Sequence, residues 1–512
     1  WYNKVHLWYS LLIQDFLSSY KYAMKWVDMF NKQPEMIISH PVFYLKGNKI
    51  VKWKIKGDFI FKNHKLYSAI MLSDGSFALG TISDGLIWLD KSGKMILKLN
   101  KTNGISNNTI LSVFEDKNQN IWLGLDNGID CVNADSPFLE FNDFFGKIGA
   151  VYTSIIHENN FYLGTNHGLF IKNNKASSGF SLINGTEGQV WTLDVIDGQL
   201  LCGHDLGTFH IDSNTAIKIA DKPGTWIFKK HPTDNSILLQ GNYKGIFVLN
   251  KINNNWRIRN KLKGFDISSR FIEFVNDSLI LVSHEYKGVF SLKTDAELTI
   301  VKEKGLEESV KKGNNASMAS FDSEIFYNNP DGVFRYDKQD FKFFKDLALS
   351  NEIGVSNYLS GKMINDDNGN FWMFSNSKIH YLFKDIFSDE FKFKSFYFEK
   401  NTANNVLGFE HVAKHKGSKY LLGSNTGYLL VDLGKIKKAR PIVSFEKIRV
   451  TDKSNDQTYL PLNQELTLNT ENNNIKFFIS SFNYQKYDKV MYQLMLVGFD
   501  QDWRPWTSSA GL

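Results

Sequence analysis

The sequence predicts an all-β protein built from β-propeller blades, and two observations support this fold class. A short pattern recurs: an apolar triplet, a glycine, two or three polar residues and a second glycine before another strand-like run. The first glycines at positions 80, 124, 164, 203 and 241 are separated by 44, 40, 39 and 38 residues, which is the length of a propeller blade. Prolines are few, nine in the chain, so Asn-Gly and Asp-Gly hairpins separate the strands.

The composition is that of a protein with a packed core. The chain has 512 residues, of which 42% are hydrophobic and 14% aromatic, which excludes intrinsic disorder. The net charge of +6 comes from interspersed Lys, Arg, Asp and Glu, so contact with nucleic acid is not expected. No apolar run reaches the ~18 residues needed to cross a bilayer. Cys131 and Cys202 are expected to be small buried residues.

The clearest blade covers residues 103–133. Its pattern predicts strands at 109–116, 121–124 and 129–132, joined by a turn at 117–120 and a hairpin at 126–128. Gly124 is expected to allow close approach of neighbouring backbone, and Gly128 to supply a positive φ in the hairpin.

More blades are present than one ring holds. Nine blade cores lie between residues 77 and 432 and a partial tenth at 42–55, whereas single propellers have about four to eight. We therefore predict a partial first propeller at 1–148 (1–40 being a helix or a degenerate blade) and a second propeller of about seven blades at 149–440, with the break within 136–143. Residues 441–512 are expected to form a truncated β-sandwich with strands at 442–450, 466–468, 475–482 and 490–497. The chain reads as an excerpt of a longer protein, cut at both ends.

Residues 103–129 closely resemble the two-component regulator propeller repeat, since the turn, Trp122 and both glycines occur in order. Residues 472–484 and 492–503 resemble the triple-tyrosine domain that follows such propellers in bacterial sensors. Four residues fit that pattern, namely Tyr492, Leu496, Gly498 and Trp503, whereas Leu494 stands where a tyrosine is usual. The resemblance extends over about residues 66–512.

This resemblance implies the periplasmic sensing part of an inner-membrane protein. A membrane anchor and a histidine kinase or DNA-binding output would lie downstream of the chain. It also implies a homodimer in the full-length protein, a small-molecule or oligosaccharide ligand, and no enzymatic activity. Two alternatives stay open: a polysaccharide lyase or hydrolase, and a protein-interaction scaffold.

No catalytic motif, metal-ligand spacing or cofactor-binding loop is present in the sequence, so no cofactor and no metal are expected. The turns at 126–128 and 331–332 are more consistent with hairpins than with calcium loops. Trp88, Trp122 and Trp372 are expected to pack between blades.

Ligand contacts are expected on one face of the propeller. There, the start of each innermost strand lies beside the hairpin between the second and third strands, and aromatic faces and polar groups could hold a sugar. An alternative for Trp191 and Trp226 is a purely structural role in the core, and for the hairpin residues a role as solvated turns. The candidate residues are Tyr152, Trp191, Trp226 and Arg270 on the strands, and His167, His204, Asp205, Tyr243, His284 and Glu285 on the hairpins.

Overall fold

The computed structural model describes residues 65–509 apart from 102, 134, 144, 174–178, 367, 386–389, 399–405, 437–442, 453, 463–473, 482–483 and 485–489, together with the backbone of two short strands before them. These are β1 (Phe43–Lys46) and β2 (Lys49–Lys52), which pair with each other. The predictions for residues 1–40 and for a strand at 466–468 lie outside the described residues. The chain divides into two compact units after Asp135, and each is described by itself.

The first unit contains two sheets besides the β1–β2 pair. One has four antiparallel strands in sequence order and the other has three. The hairpins predicted around Gly124 and Gly128 are confirmed. The strands are β3 (Leu66–Met71), β4 (Phe77–Thr81), β5 (Leu86–Leu89), β6 (Met95–Leu99), β7 (Ile110–Glu115), β8 (Asn120–Leu125) and β9 (Ile129–Asn133).

The second unit contains seven four-stranded sheets, which we number as blades 1 to 7. Blades 1 to 3 are β11 (Val151–His157), β12 (Asn160–Thr165), β13 (Leu169–Asn173), β14 (Ser181–Leu182); β15 (Val190–Ile196), β16 (Gln199–His204), β17 (Gly207–Asp212), β18 (Thr215–Ala220); and β19 (Ile227–Lys230), β20 (Ile237–Asn242), β21 (Gly245–Ile252), β22 (Asn255–Lys261). Blades 4 to 6 are β23 (Phe271–Phe274), β24 (Leu279–His284), β25 (Gly288–Thr294), β26 (Val301–Leu306); β27 (Ser317–Phe321), β28 (Glu324–Asn329), β29 (Gly332–Asp337), β30 (Lys342–Lys345); and β31 (Tyr358–Asn365), β32 (Asn370–Ser375), β33 (Lys378–Lys384), β34 (Phe391–Tyr397). A short helix, α1 (Leu347–Ile353), follows β30 and is capped by the Asp346 side chain.

Blade 7 is assembled from both ends of the second unit. Its inner strands are β35 (Val412–Lys416), β36 (Lys419–Ser424) and β37 (Gly427–Asp432), and its outer strand is β10 (Phe138–Asn142). Strand β10 is antiparallel to β37, with Phe138 opposite Val431 and Asn142 opposite Gly427. The predicted boundary at residue 148 leaves this strand in the first propeller. Its hydrogen bonds lie with the second unit, so we place the proposed boundary between Asp135 and Ser136.

The seven blades form a closed ring. The inner strands pack in sequence from β11 to β31, and β11 packs against β35. Every pair of neighbouring blades, including blades 7 and 1, shares a cluster of buried apolar side chains. The propeller predicted from the repeat is therefore confirmed as the fold, because each sheet hides its apolar faces only against its neighbours.

The predicted role of Trp372 and Trp88 between sheets is also confirmed. Trp372 is fully buried between blades 6 and 7, and Trp88 is buried between the two larger sheets of the first unit. Trp122 is half-buried, and its Nε1 donates to Asp116 Oδ2 at 2.9 Å.

Closure of the ring gives a first testable prediction. Phe141 of β10 stacks on Tyr428 of β37 with ring centroids 4.7 Å apart. We expect Phe141→Ala to lower the free energy of unfolding by about 2 kcal/mol, since it removes a partly buried aromatic pair. Urea unfolding measures the change. Phe145→Ala is the matched control because Phe145 is 85% exposed, and equal stability of the two variants would contradict the role of β10.

The C-terminal module contains a three-stranded sheet in the order β39–β38–β40. Its strands are β38 (Val443–Thr451), β39 (Gln457–Leu460) and β40 (Asn474–Ser481). The strand predicted at 490–497 is wrong: Tyr492 makes only an isolated bridge to Thr507, and the chain turns at 497–499. Alternating polarity there does not produce a strand, because the backbone bonds of Tyr492 and Leu494, to Thr507 and from the Arg504 N–H, do not extend into a ladder.

Candidate functional site

The site begins with two side chains that β-bulges place at the start of inner strands. The register of β11 against β12 shifts between Val151 and Thr153, and that of β15 against β16 between Val190 and Thr192. Tyr152 and Trp191 occupy these two shifts. A bulge turns a side chain away from the regular alternation, and here it brings the two rings together, stacked with centroids 5.2 Å apart.

Trp226 and Tyr243 extend this pair to blade 3. The Trp226 ring centroid lies 4.5 Å from that of Trp191 and 5.2 Å from that of Tyr243. Trp191 Nε1 donates to the Tyr243 hydroxyl at 2.9 Å, and Trp226 Nε1 donates to Ser268 Oγ at 3.0 Å. Both indoles are half-buried and have satisfied N–H groups, so they present rigid aromatic surface.

Arg270 precedes β23 in blade 4 and is buried, with 7% of its surface exposed. Its Cζ lies 5.2 Å from the Trp226 ring centroid and 4.0 Å from that of Phe409. Its guanidinium donates to the Gly408 carbonyl. Blade 4 is not a neighbour of blade 7, before which Phe409 lies, so these contacts span the centre of the ring.

Phe409 is a site residue that the sequence analysis missed. Its ring centroid lies 5.1 Å from Tyr152, 5.4 Å from Trp191 and 6.2 Å from Trp226. The repeat spacing does not mark it: Tyr152 and Trp191 stand 12 residues before the repeat glycines 164 and 203, whereas 12 residues before Gly423 lies His411. We use the name aromatic cluster for Tyr152, Trp191, Trp226, Tyr243, Phe409 and Arg270.

A buried carboxyl group lies directly after Phe409. Glu410 is 3% exposed, and its two oxygens accept from the Ser360 hydroxyl at 2.8 Å and from the Gly408 N–H at 3.2 Å. Burial raises its pKa despite these hydrogen bonds. Because it is tied to Ser360 of blade 6, Glu410 fixes the turn that carries Phe409.

Lys362 adds a cation to this region. It belongs to β31 and its Nζ lies 5.4 Å from the Phe271 ring centroid. Burial, and next the charge of Arg270, lower the pKa of Lys362 to about 8, with Glu410 and Asp194 acting in the opposite direction. Lys362 was not identified from the sequence. The register of β31 shifts between Tyr358 and Met363, so the alternation of the strand does not show which way the Lys362 side chain points.

The pKa of Lys362 predicts a pH dependence of stability. The folded pKa of about 8 lies below the ordinary value of 10.5, so between these values the unfolded chain binds more protons. The free energy of unfolding is therefore expected to rise with pH from 8 towards 10.5. Urea titrations at pH 7.5, 8.5 and 9.5 on wild type and Lys362→Met measure this difference. Parallel pH profiles for the two proteins would show that Lys362 is solvated.

Only some of the candidate residues on the hairpins lie near the aromatic cluster. Asp205 borders the aromatic cluster, since its carbonyl accepts from the N–H of Gly224, two residues before Trp226, at 2.9 Å. Burial lowers the pKa of Arg270, and the nearby charge of Glu285 opposes this shift. His167 is exposed, and its backbone bonds are made with Thr165 and Gly188 rather than with the cluster. The structure thus brings Tyr152, Trp191, Trp226, Tyr243 and Arg270 together, with Glu285 and Asp205 at the border.

The two buried hairpin histidines serve the fold. His204 Nδ1 lies 3.0 Å from the Leu206 nitrogen and 2.6 Å from Asp205 Oδ1, and its Nε2 lies 3.1 Å from the Thr186 carbonyl oxygen. His284 is also buried and packs edge-on against Tyr286. Burial lowers the pKa of both imidazoles, so they are neutral at pH 7.

The chemistry of this end of the ring is that of binding through aromatic faces, one guanidinium and nearby carboxylates. Among the residues that the structure describes, no group of three or more His, Cys, Asp or Glu side chains could hold a metal ion. Both cysteines are free, with Cys202 buried and Cys131 half-buried, so the expectation of burial is met fully by Cys202 alone.

Comparison with known proteins supports the fold. Residues 104–127 match the family described as two component regulator propeller, which confirms the recognition made from the repeat. The chain resembles the extracellular domain of BT3049 from B. thetaiotaomicron, assigned to a hybrid two component system, with 17% identity, a TM-score of 0.67, and coverage of 92% of this chain and 68% of that one. For the extracellular domain of BT4673 of the same organism the values are 15%, 0.43, 93% and 68%.

No curated protein matches the chain. Within the part of the chain that the structure describes, no helix is long and apolar enough to cross a membrane. The fold is a β-propeller, shared with the extracellular domain of BT3049, and residues 104–127 match one repeat of the two-component regulator propeller type.

Proposed function

We propose that this chain is the extracytoplasmic ligand-sensing region of a bacterial signalling protein, and that the aromatic cluster binds its ligand. The observation that carries the proposal is the convergence of half-buried aromatic rings and one buried guanidinium from blades 1, 2, 3 and 4 at one end of the ring. Aromatic faces held this way are suited to the apolar faces of sugar rings, and Arg270, Glu285 and Asp205 supply donors and acceptors for hydroxyl groups.

An oligosaccharide or related nutrient is the ligand class that we favour. The centre of the cluster is apolar and its border is polar. The indole N–H groups of Trp191 and Trp226 are bonded within the protein, so a ligand meets aromatic faces at the centre and polar groups at the border. A ligand of mixed character, with C–H faces and many hydroxyl groups, matches both parts.

We propose binding without catalysis. A lyase or hydrolase would need an accessible acid and base near the bound ligand. Of the three candidate histidines, His204 and His284 are buried, which leaves them inaccessible to a ligand as an acid or a base. In the sensor, ligand binding would instead change the packing of blades 7 and 1, and the C-terminal module that follows β37 would transmit the change within a dimer in the periplasm.

A glycan panel tests this proposal. A cognate oligosaccharide is expected to raise the melting temperature, because it binds only the folded state. Trp191→Ala and Trp226→Ala are each expected to weaken binding at least about tenfold, as truncation of central aromatic residues costs about 2 kcal/mol in binding sites. Calorimetric titration gives the dissociation constants.

Trp503→Ala is the matched control, since Trp503 is 59% exposed in the C-terminal module. The proposal fails if a glycan binds with equal affinity to wild type and to both cluster variants. New reducing or unsaturated ends after incubation with the glycan would instead support the enzyme alternative.

A further inference from the structure

Phe409 differs from the other members of the aromatic cluster in how it is held. Tyr152 and Trp191 lie within inner strands, and the two indoles are each fixed by a hydrogen bond. Phe409 comes instead from the turn at 406–410, before β35, where its N–H donates to the Val406 carbonyl at 2.9 Å. Its side chain is held by ring contacts alone.

The contacts of Phe409 are those that a ligand ring would make. It stacks on Trp191 at 5.4 Å, tilts against Tyr152 at 5.1 Å and lies 4.0 Å from the guanidinium carbon of Arg270. Phenylalanine has no polar atom, so each of these contacts is equally available to another flat or C–H-rich ring of similar size. The centre of the cluster is therefore occupied by a side chain of the protein itself.

The turn carrying Phe409 is anchored on both sides of that residue. Gly408 accepts from Arg270, and Glu410 accepts from Ser360. Leu407, one residue further back, is 42% exposed. Neither hydrogen bond involves the Phe409 side chain, so the ring can leave the cluster, and the exposed Leu407 side of the turn can move outward with it.

We propose that Phe409 is an internal competitor of the ligand, a specificity-determining residue whose ring must leave the space between Trp191, Tyr152 and Arg270 before a ligand ring enters. This rests on the proposed function of the aromatic cluster. The apparent affinity is reduced by the fraction of time that the site is open. A ring that cannot replace the stacking and the cation–π contact of Phe409 is rejected, which gives the site its selectivity.

The test uses 1-anilinonaphthalene-8-sulfonate, an anionic aromatic probe that suits two indoles and a guanidinium. Phe409→Ala is expected to bind this probe about tenfold more tightly than wild type, which corresponds to a site open about a tenth of the time. Phe344→Ala is the matched control, since Phe344 is 45% exposed on blade 5. The gain is expected to disappear in the double variant Phe409→Ala/Trp191→Ala.

A second measurement follows the turn in a protein that keeps Phe409. Leu407→Cys, made in a Cys131→Ser background and labelled with bimane, places a dye that tryptophan quenches two residues from Phe409, whose ring lies near Trp191 and Trp226. Saturation with 2-naphthalenesulfonate, a smaller anionic aromatic compound whose emission does not overlap that of bimane, is expected to brighten the dye as the turn moves outward. Equal or weaker probe binding by Phe409→Ala, or unchanged bimane emission at saturation, would overturn the proposal. Failure of every glycan to bind while these results hold would remove the proposed ligand class alone.

Discussion

Replacing Trp372 by alanine is expected to lower the free energy of unfolding by about 3–5 kcal/mol, the range measured for truncation of fully buried aromatic residues. Trp372 lies between blades 6 and 7, with ring centroids of Tyr381 and Tyr420 each 4.9 Å away. Its Nε1 donates to Asp366 Oδ2 at 2.8 Å. The substitution leaves a cavity and also removes one partner of that carboxylate.

Asp366 makes this position more sensitive than burial alone suggests. Its Oδ1 accepts from the N–H groups of Asn368 and Asn370, at 2.8 and 3.0 Å. The same arrangement recurs at Asp116, Asn118, Asn120 and Trp122 in the first unit. In both units, the hydrogen bond from the tryptophan to the aspartate holds the turn that precedes the second strand of the same sheet, and Trp372 also packs between blades 6 and 7.

Chemical denaturation followed by circular dichroism measures the effect of Trp372→Ala. Trp506→Ala is the matched control because Trp506 is 62% exposed, and it is expected to change stability by less than about 0.5 kcal/mol. Comparable losses in the two variants would contradict the packing described for blades 6 and 7.

Gly423→Val is expected to destabilise the second unit by about 3 kcal/mol or more, as overpacking against backbone cannot be relieved by a rotamer change. A Cβ atom at Gly423 would lie 2.3 Å from the carbonyl oxygen of Val151. These residues belong to blades 7 and 1, so the clash would push apart the two blades between which the ring closes.

The measurement for Gly423→Val is the yield of folded protein together with its urea midpoint. Gly179→Val is the matched control, since nothing lies within 4 Å of a Cβ at Gly179. A Gly423→Val protein with the midpoint of wild type would show that the two blades do not approach as closely as described.

The blades could be predicted from the sequence because each of them repeats the same two local requirements for glycine. The glycine after the apolar triplet is needed where a neighbouring blade approaches, as at Gly241, whose Cβ would lie 2.0 Å from the Ser269 carbonyl oxygen. The second glycine adopts a positive φ, as at Gly245 with φ of 99°. Such requirements act over a few residues and so are visible in one chain.

The parts that escaped prediction depend on contacts between distant residues. Strand β10 has no signature of its own, because its place is fixed by pairing with β37 almost 300 residues later. Phe409 and Glu410 follow no repeat motif, and their environment comes from blades 1, 2, 3, 4 and 6. Of the candidate site, the strand residues were predicted from blade geometry, whereas the composition of the centre required the tertiary structure.

The origin of blade 7 has a consequence for biosynthesis. The first strand of the second unit to emerge from the ribosome is β10, and its partner β37 is the last strand of the seven-bladed ring to be synthesised. Joining segments so far apart is slow because the entropy of the intervening loop is lost before the contacts form. We therefore expect nascent chains that stop before Asp432 to keep an unpaired β-edge, and to depend on chaperones until translation has passed that residue.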